Sequence, residues 1–248
     1  MFNTYLYEPL YNTLVFLIGV LPGHSVGLAI IVLTIIVKLI ILPLTHKSTK
    51  SQAKMKKIEP EAQKLREKHK NNKQVQAQQI MDLYKRHGVN PFSSCLLMLV
   101  QFPVIIALYW VFYKGLNGGV QEEILYSFIQ YPESINMFFL GVFDLAGKSM
   151  ILALLAGITQ FFQMKLAMPD IPKAKPKDSS KEPSFKEDLA RNMSLQMRYM
   201  MPIIVFVIAW QISAAVALYW VVSNIFSVIH ELIVKREADR IINPVSTD

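Results

Sequence analysis

The stretch that most constrains this chain is residues 27–44, GLAIIVLTIIVKLIILPL, an apolar run interrupted by one lysine. At about 1.5 Å per residue a helix of that length covers roughly 27 Å, close to the hydrocarbon thickness of a bilayer, so the run reads as a transmembrane helix. Lys38 is the anomaly. An ammonium near mid-membrane costs about 3 kcal/mol even on lenient insertion scales, which makes it a functional candidate. The competing reading is a snorkelling anchor, because Lys38 precedes Leu44 by only about 9 Å of helix rise. Gly27, Thr34, Lys38 and Thr45 recur at helical spacing, a polar stripe on a greasy cylinder.

The apolar residues, 52% of the chain, fall in blocks, which places the chain among polytopic α-helical membrane proteins. The single cysteine, Cys95, allows no internal disulfide, and it lacks the paired Cys/His spacing of a zinc site. No metal and no cofactor are expected.

The net charge of +8 is unevenly spread, and the unevenness carries the topology. Residues 1–25 contain no Lys or Arg and no signal-peptide cleavage pattern. Tyr7, Leu10, Leu14 and Leu17 share a face, so this segment is expected to lie as a helix in the outer interface, with a re-entrant or spanning helix as the alternative. Residues 26–44 are the first span. Residues 45–90 carry twelve Lys and Arg against four Asp and Glu. Within them Met55, Ile58, Ala62 and Leu65 trace one apolar seam, and Ala77, Ile80, Met81 and Tyr84 a second, predicting an antiparallel helical hairpin turning at Asn71-Asn72. Pro60 should kink or delay its first helix, and a break around residues 43–47 should let the pair swing.

Residues 91–114 form the second span, 115–147 a loop without Lys or Arg, and 148–168 the third span. Residues 169–198 are a second basic loop, expected to be largely disordered. Residues 199–234 are too long for one crossing, so a fourth span (199–211) and a fifth (213–234) are expected, followed by a basic tail, 235–248. The positive-inside rule then puts the amino terminus outside and the hairpin, second basic loop and carboxyl terminus in the cytoplasm. The expected fold class is an all-α polytopic membrane protein: five transmembrane helices around a cytoplasm-facing polar groove, with an interfacial amino-terminal helix and a cytoplasmic helical hairpin.

The groove follows from depth. Lys38, Gln101, Gln160, Gln163 and Asn224 all fall in the cytoplasmic halves of their spans, and Ser213, Trp220, Asn224, Ser227 and Glu231 share one face of the fifth. Taken singly, each amide could be interhelical glue worth about 0.6 kcal/mol. Together with an unpartnered charge they suggest a blind, hydrated, positively charged cavity open to the cytoplasm. Such a cavity suits an amphipathic guest that enters from inside and leaves sideways into lipid: a nascent membrane segment, driven by hydrophobic transfer. No nucleotide loop and no nucleophile–base pair is present, so catalysis is not expected. Two rivals remain at this point: an anion or solute transporter or channel using Lys38 as its site, and a membrane-anchored adaptor whose basic hairpin binds acidic lipid or RNA. Met164, Met168, Met193, Met197, Met200 and Met201 gather near cytoplasmic helix ends, either as gap-fillers or as a pliable surface for varied apolar guests.

Several motifs resemble the YidC–Oxa–Alb membrane protein insertases across nearly the whole chain. They are YEPLYN at residues 7–12, the run at 27–44, YKRHGVNPFSSCLLMLVQFPVIIALYW at 84–110, GITQFFQMK at 157–165 and ALYWVVSNIFSVIHE at 217–231. The resemblance implies a bacterial cell-membrane protein that serves nascent membrane proteins, alone or with the Sec translocon, often at ribosomes. It implies that Lys38 occupies the place of a groove arginine and that Gln101, Gln163 and Trp220 match other groove positions. Thr34, Gln160 and Asn224 join them from the polar stripes. Lysine keeps the charge but not the bidentate fork of arginine. Ser213-Ala214-Ala215 stands where a Pro-Gly-like turn is common, and neither the large outer domain of Gram-negative members nor a lipoprotein signal is expected.

Overall fold

The computed structural model describes residues 2–90, 93–117, 121–167 and 195–242. The expectations for residues 169–194, for Met168 and Met193, and for the last six residues lie outside them. Within them the chain is an all-α polytopic membrane protein with one small β-hairpin.

A short π-helical turn, Asn3–Tyr7, leads into α1, Glu8–Val20, with Pro9 in its first turn, where a missing N–H is harmless. Pro22 and Gly23, the latter at φ 66°, end it, and Ser25 caps α2 by accepting from the Leu28 amide at 3.4 Å. Helix α2 is Val26–Lys68, α3 Lys73–Arg86, α4 Ser93–Asn117, α5 Met150–Ala167, α6 Met201–Gln211 and α7 Ala214–Ile242. Among the described residues three helical segments are long and apolar enough to cross a membrane: Val26–Lys68, Met150–Ala167 and Ala214–Arg236; Arg198–Gln211 is apolar but shorter. Helix α7 is the centre of the bundle, packed along both α2 and α5; α6 lies on α5, and α1 and α4 lie on α2.

Helix α2 runs unbroken past Pro43 and Pro60, where the sequence suggests a hinge and a kink. Each proline removes one ladder hydrogen bond, yet Ser48 and Thr49 are still buried, so bundle packing continues beyond Pro43 and holds the helix together. The first arm of the basic hairpin is therefore continuous with the helix that carries the apolar run 27–44.

In the hairpin Ile58, Ala62, Leu83 and Val89 are buried, with Met55, Leu65 and Tyr84 against them. The second seam is rotated from the expected one: Leu83 points inward while Ala77 and Met81 face solvent. The rotation follows from the end of α3, where the Val89 amide bonds back to the Tyr84 carbonyl (2.9 Å) and folds Val89 into the interface. Gln76 crosses to the Arg66 carbonyl (2.6 Å), and Arg66 pairs with Glu59 (2.5 Å). Burial pushes the Tyr84 phenol above its ordinary pKa, with the Arg66 guanidinium pulling the other way.

Helix α1 is tied into the bundle more closely than a floating interfacial helix would be. Buried Asn12 donates to the carbonyls of Glu8 (2.9 Å) and Ile124 (2.8 Å) and accepts from the Tyr126 amide (2.7 Å). The Tyr11 hydroxyl accepts from the Gln121 amide (3.1 Å). The loop before α5 also contains an unanticipated antiparallel hairpin, β1 (Phe138–Phe139) and β2 (Phe143–Asp144).

Helices α5 and α6 meet at Gly157. A Cβ added there would lie 3.1 Å from Phe206 Cβ and 3.2 Å from the Pro202 carbonyl oxygen, and the latter, as backbone, cannot turn away. Gly157→Leu is expected to lower stability by about 1–3 kcal/mol, Gly157→Ala by less, measured by thermal unfolding of the solubilised protein. Equal melting of all three proteins would mean the two helices separate freely.

Candidate functional site

The lysine read from the sequence sits inside the bundle. Lys38 is 8% exposed, and its ammonium donates to Ser227 Oγ of α7 at 3.3 Å. The Ser227 hydroxyl in turn donates a hydrogen bond to the Ser223 carbonyl (2.9 Å). Among the described residues no carboxylate pairs with Lys38. Depths agree: Lys38 lies twelve residues into α2 and Ser227 thirteen into α7, both roughly 18–20 Å from the helix starts.

One turn away on α7, buried Asn224 donates to Thr159 Oγ1 (3.3 Å) and the Ala156 carbonyl (3.4 Å) of α5. Next to Thr159, buried Gln160 donates to Gln163 Oε1 at 3.1 Å. Gln101 of α4 donates to the Tyr219 hydroxyl of α7 at 2.7 Å. Polar contacts thus reach α7 from α2, α4 and α5. Trp220 is half-buried against the main apolar core. Thr34 makes a local bond, its hydroxyl donating to the Ile30 carbonyl at 2.6 Å within α2.

Two partners were not singled out in the sequence, Tyr219 and Thr159. Each lies beside a residue that was, Trp220 and Gln160, but helical rotation rather than adjacency decides which neighbour faces the partner helix. Nearer the hairpin, His46 Nδ1 and His230 Nε2 come within 3.3 Å, linking α2 and α7 again. Lys56 donates to the Leu166 carbonyl at the end of α5, a cation on a helix carboxyl terminus.

Cavities of about 270 and 180 Å³ lie beside α1 at the opposite end, lined by residues such as Tyr7 and Trp110 or Asn12 and Phe128, and neither touches Lys38. The Lys38 site is marked by buried polar chemistry across helices, which in this environment is the costlier and more informative feature.

Comparison with known proteins bears on the family. The profile of the 60Kd inner membrane protein family matches residues 17–240. Curated relatives named membrane protein insertase YidC include one from Clostridium tetani, 36% identical over 217 residues, covering 87% of this chain and 84% of the relative. One from Fusobacterium nucleatum is 30% identical over 236 residues, covering 94% of this chain and 98% of its own length. A longer relative from Syntrophobacter fumaroxidans is 35% identical over 219 residues, of which this chain spans 35%. A profile match over most of the chain and relatives that align nearly end to end lead to one conclusion: the chain belongs to the 60Kd inner membrane protein family, the YidC–Oxa–Alb family that its motifs resemble.

Proposed function

We propose that this protein inserts nascent membrane proteins into the bacterial cell membrane, taking each segment from the cytoplasm into a hydrated groove and releasing it sideways into lipid. The observation that carries the reading is Lys38: a cation inside the bundle whose partner is a hydroxyl of α7 rather than a carboxylate. A hydroxyl leaves the charge uncompensated, so an acidic or polar stretch of a guest gains by meeting it, while the apolar stretch of the same guest gains by leaving for lipid. In this reading the protein has five spans, with its amino terminus outside and carboxyl terminus in the cytoplasm, as the charge asymmetry requires. Gln101, Gln160, Gln163 and Asn224 line the groove, Trp220 and Thr34 support its wall, and the basic hairpin receives clients from the ribosome, with or without the Sec translocon. The cycle contains no covalent step, so the role is not enzymatic.

Water access tests the groove. In a Cys95→Ser background, cysteines at Gln101, Gln163 and Asn224 are expected to react with membrane-impermeant thiol reagents added from the cytoplasmic side. Protection of all three would mean that these amides are dry glue between helices.

A further inference from the structure

The β-hairpin between α4 and α5 has a largely exposed apolar tip. Alternation sends Met137, Phe139, Phe143 and Leu145 inward, while Phe138, Leu140 and Val142 face out at 56%, 75% and 73% exposure. Asn136 lies at the base and Asp144 stands directly opposite Phe138, both polar and each accepting a backbone N–H two residues on. No charged residue lies between Glu133 and Asp144. Leu140 is held in the left-handed region (φ 53°) at an exposed turn, a place where Gly, Asn or Asp would cost less. A large apolar residue kept there needs a reason outside the chain's own packing.

The position of the hairpin supplies the reason. Its base is bonded to the start of α2, through the Val26 amide to the Asn136 carbonyl (3.1 Å) and the Asn136 amide to the His24 carbonyl (3.0 Å). The Phe139 ring lies on Gly27 so closely that an added Cβ would overlap it. Gly27 opens the apolar run that crosses the bilayer, so the hairpin sits at the hydrocarbon edge of the leaflet opposite the basic hairpin. We propose that this tip is a lipid anchor, dipping Leu140 and Val142 into that leaflet with Asn136 and the Phe138–Asp144 pair at headgroup level. The anchor would hold the outer end of α2 fixed while its other end moves with the basic hairpin.

The proposal rests on α2 being a span, and the test separates the two. In a Cys95→Ser background, single cysteines at Leu140, Val142, Glu133 and Leu39 are labelled with an environment-sensitive fluorophore in liposomes, with circular dichroism showing that each protein is folded. Labels at Leu140 and Val142 are expected to emit blue-shifted light, to be quenched by lipids carrying a nitroxide near the headgroup, and to be about threefold less accessible to iodide than the label at Glu133. Water-like emission with iodide quenching equal to that at Glu133 would overturn the anchor. So would blue-shifted emission that nitroxide lipids do not quench, since a second protein surface would then cover the tip. Leu39, exposed in the middle of the apolar run, reports the span itself: absence of lipid quenching there would overturn the reading of α2 instead.

Discussion

Lys38→Leu is expected to make the protein more stable and a poorer insertase at once. Holding an ammonium at mid-membrane costs about 3 kcal/mol, and one hydroxyl partner returns about 1 kcal/mol, so leucine should gain roughly 2 kcal/mol in unfolding measured in lipid. Insertion of clients with acidic outer tails, followed by protease protection in proteoliposomes, should fall about tenfold, because the charge that holds the tail is gone. Lys38→Arg keeps the cation and should retain insertion, while Lys38→Glu repels the same tails and should be the most impaired. Opposite movement of stability and activity is the signature of a residue kept for function at the expense of the fold. Equal insertion by all three variants would reduce Lys38 to a snorkelling anchor.

Replacing residues 51–86 by a short flexible linker should leave the membrane bundle folded and cut insertion by roughly tenfold, since the segment carries ten of the twelve Lys and Arg of residues 45–90, which attract anionic surfaces at about 1 kcal/mol each. The hairpin has its own small core of Ile58, Ala62, Leu83 and Val89, separate from the core of the bundle, so its removal exposes little of the latter. The ties lost include Ser51, which accepts from the Asn90 amide and donates to its carbonyl, both at 3.2 Å, and Lys56 on the end of α5. Circular dichroism and size-exclusion chromatography in detergent report the folding, and client insertion at fixed protein reports the function. Wild-type insertion without the hairpin would make it a topology-setting loop only. Because α2 is continuous, the hairpin and the first span move as one rod. Two glycines inserted after Thr45 should therefore impair insertion although every hairpin residue is kept.

The class of the molecule was legible because it rests on one-dimensional quantities. Apolar run length against bilayer thickness made residues 27–44 a span, and one charge within that run singled out Lys38 before any partner was visible. The motifs at 84–110 and 217–231 pointed to the family for the same reason: they are contiguous. Contacts between distant segments were not legible. The partner of Lys38 is 189 residues away, and only the packing of α2 on α7 selects Ser227 from the polar face that also carries Ser213, Asn224 and Glu231. The hairpin seam rotated because a backbone bond at Val89, invisible to side-chain periodicity, turned Leu83 inward. The two prolines of α2 read as breaks because their local cost is negative for helix. Burial of Ser48 and Thr49 beyond Pro43 shows tertiary packing offsetting that cost there. Composition and periodicity determined that the chain enters the membrane and where its charge is out of place. Which polar groups meet around that charge was decided only by tertiary structure, because helix rotation and relative depth depend on the neighbour each face is packed against.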